Sequence, residues 1–314
     1  MDIIFFGSGK FAVSPLKALV KNGYKISCVV TQPDKKKGRG LLVESTEIKK
    51  AASDCGFEVY QPEQVNSPEA IRFLKDLKGD LFVVIAYGQI LSAELINIPK
   101  ILAINAHASL LPSYRGAAPI NWAIIKGEKT TGVTIIKMSK KMDAGEMILQ
   151  RTVEIKGEDT ATVLEERLSL EAADLLIDAL KSIESNNYKL IPQDEKKASF
   201  APKLKKQDGL IDWDKPAGDI YNLMRGCDGW PGAFTYLDKK MVKIYKASIV
   251  KFPVAQFSSG EIIKVEKDGI LVATGEDCLK IEELQIEGKR RMLAGEFILG
   301  HKVCVGDRLG FKDN

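Results

Sequence analysis

Histidine is almost absent from this chain: His107 and His301 are the only two among 314 residues. Cysteine is sparse as well, with five residues at 28, 55, 227, 278 and 304 and no Cys-x-x-Cys pair. Two distant histidines and unpaired cysteines leave a zinc centre without its usual ligand spacing, so no metal is expected. Scattered thiols read as reduced and mostly buried, not as a disulfide framework. No apolar run approaches the length that spans a bilayer. Residues 2–6 already read as a strand, with no n-region, h-region or cleavage site before them. The expectation is a cytoplasmic protein with no membrane association. Charge of one sign is also lacking. The formal net charge is only +4, so any nucleic-acid surface has to be a local patch.

What is present suffices for a sizeable core: 45% of the residues are hydrophobic. The length fits about two domains. Short apolar runs at 3–6, 25–31, 57–60 and 80–85 alternate with helical spacings at 11–20, 45–55 and 68–77. A strand over 101–106, a helix over 119–126 and a strand over 132–138 follow. Residues 80–85 are almost all apolar, as a strand covered on both faces must be. This rhythm predicts an α/β, Rossmann-like doubly wound sheet. A long amphipathic helix is expected over 160–185. The segment 32–40 reads as a polar loop. From about 186 to 208 lysines and prolines cluster, which reads as a basic linker over 189–207. Short alternating strands at 234–237, 243–249, 260–265, 270–274 and 279–284 then predict a small OB-like β-barrel over 208–314. The first domain is expected to cover 1–188.

The stretch Asn105-Ala106-His107-Ala108-Ser109-Leu110-Leu111-Pro112 closes the strand over 101–106. Positions i and i+2 of a strand face the same side. Asn105 and His107 are thus expected to converge where open α/β sheets bind ligands, at the carboxyl ends of the strands. Asp143, in a turn after a later strand, can join them. An amide and an imidazole suit a developing oxyanion, and a carboxylate can orient the imidazole or take a proton. Ser109 invites a Ser–His–Asp hydrolase reading, but the Gly-x-Ser-x-Gly elbow is missing. Gly7-Ser8-Gly9-Lys10-Phe11-Ala12 matches a dinucleotide fingerprint, although a tight strand-to-helix turn accounts for the same glycines. Lys35-Lys36-Lys37-Gly38-Arg39-Gly40 and the linker lysines Lys203, Lys205 and Lys206 supply local positive charge that favours a polyanion.

These motifs resemble the N10-formyltetrahydrofolate-dependent formyltransferases, nearly end to end. The resemblance rests on Phe6-Gly7-Ser8, Val30-Thr31-Gln32-Pro33-Asp34 with Gly38-Arg39-Gly40, Ala86-Tyr87-Gly88, residues 105–119, Met142-Asp143-Ala144-Gly145, Ala201-Pro202-Lys203-Leu204 and Ile211-Asp212-Trp213. The loop at 32–40 and the C-terminal half point to the members that act on initiator methionyl-tRNA. The resemblance implies transfer of a formyl group from 10-formyltetrahydrofolate to the α-amine of that methionine, without a metal. It implies Asn105, His107 and Asp143 as the catalytic trio. It places Ser109, Leu110, Leu111 and Pro112, with Tyr87 and Gly88, at the folate. It places Arg39 at the tRNA acceptor end, and the local positive charge of Lys35, Lys36, Lys37, Lys203, Lys205 and Lys206 is expected to contact tRNA phosphates. The chain departs from the family after Gly40, where Leu41-Leu42 and Glu44-Ser45-Thr46-Glu47 stand in place of a basic pair and a Pro-Ser-Pro-like stretch. Sugar-nucleotide formyl transfer and formyltetrahydrofolate hydrolysis use the same trio. A non-catalytic tRNA- or NADP-binding protein is a third alternative. Nothing in the sequence demands a dimer, so a monomer is expected.

Overall fold

The computed structural model describes residues 1–37 and 42–310, with backbone alone at 36, 37, 42 and 43. It comprises two compact units. The first is Met1–Pro119, Thr130–Ile155 and Val163–Pro202; the second is Ile120–Lys129, Lys156–Thr162 and Lys203–Asn314. Two short segments read by sequence as part of the first domain, 120–129 and 156–162, therefore pack with the C-terminal unit.

In chain order, the first half runs β1 (Asp2–Gly7), α1 (Val13–Lys21), β2 (Lys25–Val30), β3 (Lys35–Lys37), β4 (Leu42–Glu44), α2 (Glu47–Asp54), β5 (Val59–Tyr60), α3 (Pro68–Asp76), β6 (Leu81–Ile85) and α4 (Ala93–Ile96). It continues through β7 (Leu102–His107), β8 (Arg115–Gly116), α5 (Pro119–Ile125), β9 (Thr130–Lys137), β10 (Met147–Glu154), α6 (Ala161–Glu184) and β11 (Phe200–Ala201). Seven strands form one sheet in the order β10-β9-β7-β6-β1-β2-β5. The five from β7 to β5 are parallel. All five side chains of β6 are buried, which explains its unbroken apolar sequence. Strands β9 and β10 join antiparallel. The sequence did not announce β10: Met147–Glu154 alternates buried and wetter positions and carries Gln150, Arg151 and Glu154, as an edge strand does.

Local chemistry sets the helix starts. Thr46, Ser67 and Ser92 each cap a helix by accepting a backbone N–H with the hydroxyl. Thr46 lies in the stretch that departs from the family, and its hydroxyl also bonds that of Thr31 at 2.8 Å. Helix α6 buries Leu164, Leu168, Leu175, Leu176 and Leu180 on one stripe; each such side chain contributes roughly 1.5–3 kcal/mol. Gly7 ends β1 where a Cβ would come within 2.8 Å of the Phe5 ring and 2.9 Å of Ala12. Close packing therefore explains this glycine. The loop expected over 32–40 is partly a hairpin, with β3 and β4 paired antiparallel.

The second unit carries α7 (Ala217–Gly226), β12 (Phe234–Leu237), β13 (Lys240–Val250), β14 (Ile262–Glu266), β15 (Gly269–Ala273), β16 (Cys278–Ile286), β17 (Met292–Leu293) and α8 (Ala294–Gly300). Its antiparallel sheet runs β12-β13-β16-β15-β14, with β17 beside β16. Trp213, Val272, Leu279, Ile281 and Phe297 centre its core, and the Trp213 indole donates to Thr235 Oγ1 at 2.9 Å. Helices α7 and α8 were not expected; Gly218 and Gly226 in one and Gly295 and Gly300 in the other weaken the helical signal. Gly226 is needed for contact, since a Cβ there would lie 2.5 Å from Ile125 of α5. Among the described residues no helix is long and apolar enough to cross a membrane.

Candidate active site

Strand β7 sits between parallel β6 and antiparallel β9, and its last turn of pleat carries Asn105 and His107. Their spacing puts both toward the loop between β9 and β10, where Asp143 adopts a left-handed backbone (φ +50°). Asn105 Nδ2 donates to Asp143 Oδ1 at 3.3 Å. His107 Nδ1 lies 3.6 Å from Asp143 Oδ2, too long for a good hydrogen bond but close for an ion pair. The Gly116 N–H donates to the same Oδ2 at 2.9 Å. His107 Nε2 donates to the Tyr114 carbonyl at 2.9 Å. Nε2 thus has a hydrogen-bond acceptor, and Nδ1 faces a carboxylate oxygen. His107 and Asp143 side chains are 7% and 14% exposed, so the cluster is shielded but reachable.

The strand end continues into a tight return at 108–114. Ser109 is fully buried and its hydroxyl donates to the Ser113 carbonyl at 2.6 Å. Thr134 Oγ1 on β9 donates to the Ser109 carbonyl at 2.7 Å and accepts the Leu111 N–H at 3.2 Å. Gln150 Nε2 on β10 donates to the Leu111 carbonyl and to Thr134 Oγ1. The peptide bond before Pro112 is cis. Among the predicted folate residues, Ser109 therefore braces the loop with its hydroxyl, and Leu110 and Pro112 are partly exposed. Tyr87 follows β6 and is 2% exposed. Burial pushes its phenol well above the ordinary range, and among the described residues its hydroxyl has no hydrogen-bond partner. Its carbonyl accepts the Ser8 hydroxyl at 2.9 Å, and that hydroxyl also accepts the Gln32 N–H at 3.1 Å. Ser8 thereby ties the ends of β1, β2 and β6 together. Gly88 has φ +90°, a conformation that suits glycine.

The predicted tRNA residues fall in both units. Lys35 is exposed in the first unit; Lys203, Lys205 and Lys206 are exposed in the second. Arg39 lies outside the described residues, as do the side chains of Lys36 and Lys37. Beside Lys35, Asp34 is held below the ordinary carboxylate range by Lys49 at 2.6 Å and by Gln61. Burial raises the thiols of Cys28 and Cys227 to about 12.

Sequence reasoning gave no role to the residues that brace the cluster. The expected linker over 189–207 is built into the first unit as far as Pro202. Ile191 pairs with Met147, and β11 pairs in parallel with β8. Gln193 Nε2 donates to the carbonyls of Asp143 and Gly145 at 2.8 and 2.7 Å. Its Oε1 accepts Arg115 Nε and an Arg115 Nη at 3.0 and 2.8 Å. Arg115 is 3% exposed and pairs with both carboxylate oxygens of Glu195. The only signal was Arg115 itself, which is the one Lys, Arg, Asp or Glu in residues 105–116.

The first 180 residues match the family model described as formyl transferase, and residues 203–302 match the formyl transferase C-terminal domain. The methionyl-tRNA formyltransferase of Acetivibrio thermocellus is 44% identical over 310 residues, covering 99% of this chain and 100% of that protein. Among solved structures, the sugar 3N-formyl transferase WlaRD, crystallised in the presence of dTDP and 5-N-formyl-THF, superposes with a TM-score of 0.67 at 20% identity, covering 92% of this chain and 99% of that one. HypX from Aquifex aeolicus, in complex with tetrahydrofolic acid, superposes with a TM-score of 0.65 at 17% identity. It covers 94% of this chain, which spans about half of that longer protein (46%). At these identities the structures establish the shared fold.

Proposed function

The chain belongs to the methionyl-tRNA formyltransferase family, and from that premise we propose that it transfers the formyl group of 10-formyltetrahydrofolate to the α-amine of methionine on initiator methionyl-tRNA. The observation that carries the chemistry is the cluster in which Asp143 contacts both Asn105 and His107. The attacking amine must be neutral; free α-amines have pKa values of about 7.7–8.0, so a nearby carboxylate suffices to collect the proton. The amine nitrogen bonds to the formyl carbon and the carbonyl oxygen becomes an oxyanion. Asn105 Nδ2 donates to it, and so does His107 through Nδ1, because Nε2 is held by Tyr114. Asp143 takes the amine proton, directly or through a water. Collapse breaks the bond to N10 of the folate, which leaves with a proton. The products are formylmethionyl-tRNA and tetrahydrofolate.

In this reading Tyr87, Gly88 and the 109–112 segment form the folate wall, with Leu110, Leu111 and Pro112 supplying apolar surface and Ser109 its shape. Residues 1–188 carry the chemistry. Residues 208–314 carry tRNA, joined through 203–207, because 189–202 are built into the first unit. Lys35, Lys36, Lys37, Arg39, Lys203, Lys205 and Lys206 contact phosphates. The protein works as a cytoplasmic monomer and needs no metal.

Single-turnover assays test the reaction, with charged initiator tRNA, free methionine and an amino-sugar nucleotide as competing acceptors. Formylation of the charged tRNA alone is expected. Transfer to the sugar nucleotide, or release of formate without an acceptor, would sink the reading.

A further inference from the structure

The segment that reads as a linker braces the polar atoms on both sides of His107. On one side Gln193 holds the Asp143 turn. Its amide is fully used: two N–H groups go to the Asp143 and Gly145 carbonyls, and Oε1 accepts two N–H groups of buried Arg115. On the other side Ser199 Oγ accepts the Tyr114 N–H at 2.9 Å, and the Ser199 carbonyl accepts the Arg115 N–H at 2.9 Å. The Tyr114 carbonyl is the partner of His107 Nε2.

Both braced residues need outside support. Asp143 and Tyr114 have φ of +50° and +61°, values that non-glycine residues adopt at a cost. The Asp143 turn is also closely seated: a Cβ on Gly145 would come within 1.7 Å of the Lys137 carbonyl. Residues 194–197 are exposed, so the segment buries little apolar surface and supplies hydrogen bonds instead. Glutamate at 193 could keep Arg115 but has no N–H to give the two carbonyls.

We propose that Gln193 and Ser199 are positioning residues of the formyl-transfer site, Gln193 fixing the Asp143 carboxylate and Ser199 the Tyr114 carbonyl so that the His107 ring is held between them. This rests on the assignment of Asn105, His107 and Asp143 made above. Neither residue touches substrate; each acts through another.

Gln193→Met keeps the length of the side chain and loses its polar bonds; Gln193→Glu keeps the pairing to Arg115. Both are expected to fold, with cooperative melting. Each is expected to lower kcat about 10- to 100-fold, the scale of a reacting group displaced by about 1 Å, with KM for both substrates unchanged. In an Asp143→Ala background the Gln193→Met substitution is expected to cost no further rate. Ser199→Ala lowers kcat, and Ser199→Thr restores it. Ring signals in 1H–15N spectra give a readout independent of turnover: those of His107 move in Gln193→Met and those of His301 do not. Unchanged kcat, a loss carried by KM, or an equal loss in the Asp143→Ala background overturns the proposal. If the wild-type protein formylates no methionyl-tRNA, the functional reading fails instead. The His107 ring signals alone then decide whether the brace positions the ring: movement upholds the brace and stillness overturns it.

Discussion

Residues 105–116 and 189–202 run beside each other in the first unit and hold the same turn by different means. The first stretch presents side chains: Asn105 and His107 reach Asp143 directly. The second grips main-chain carbonyls, through Gln193, and pairs strand to strand through β8 and β11. The first demands particular functional groups at particular spacings, and so it is visible as a motif. The second demands an amide and a hydroxyl in a polar segment, which resembles any solvated connector. Side chains that meet at a fixed spacing leave a stronger mark on sequence than a segment that holds backbone atoms.

The comparison is broken most severely by removing a group from the first stretch. Asn105→Ala is expected to lower single-turnover formyl transfer by roughly 10²–10³-fold, the usual loss for one oxyanion donor. Near-normal turnover would take Asn105 out of the chemistry. Next comes the turn between the two stretches. Gly145→Ala forces a Cβ onto the Lys137 carbonyl and is expected to destabilise the fold by about 1–3 kcal/mol or more, read as a lower midpoint in denaturant. An unshifted midpoint would mean that the turn relaxes freely.

Neutralising Lys203, Lys205 and Lys206 of the second unit together sharpens the contrast. tRNA binding should weaken and its dependence on salt flatten, with formyl-donor affinity unchanged. A salt slope equal to that of the wild-type protein removes these lysines from the interface. Thr46→Ala removes a helix cap remote from both stretches and should cost about 1 kcal/mol of stability with turnover intact. The smallest effect belongs to Glu195, which Arg115 holds below the ordinary carboxylate range. Because the folded pKa is depressed, its contribution is present above the unfolded carboxylate pKa and is lost as pH falls through the folded one. Comparison of Glu195→Gln with wild type in acid melts should show a small gap at neutral pH that closes only in acid.

Much of the first unit was legible. The apolar run of β6, the i, i+2 pair on β7 and the leucine stripe of α6 each follow from burial and periodicity. Strand β10 was not, because an edge strand mixes charged and apolar residues. Nor were α7 and α8, whose glycines weaken the helical signal although Gly226 and Gly295 sit where a Cβ would clash. The meeting of Asn105, His107 and Asp143 was legible because positions i and i+2 of a strand face the same side. Gln193 and Ser199 were not, because their partners are backbone atoms at 114, 143 and 145, and backbone leaves no trace in side-chain pattern. Antiparallel β9 likewise hid behind an apolar run that suits either direction.

The most direct test of the account is single-turnover formylation of initiator methionyl-tRNA by His107→Ala beside the wild-type protein, both saturated with 10-formyltetrahydrofolate. The account predicts that the variant folds, binds both substrates and transfers the formyl group at least roughly 10²-fold more slowly. A His107→Ala protein that turns over at the wild-type rate would contradict it.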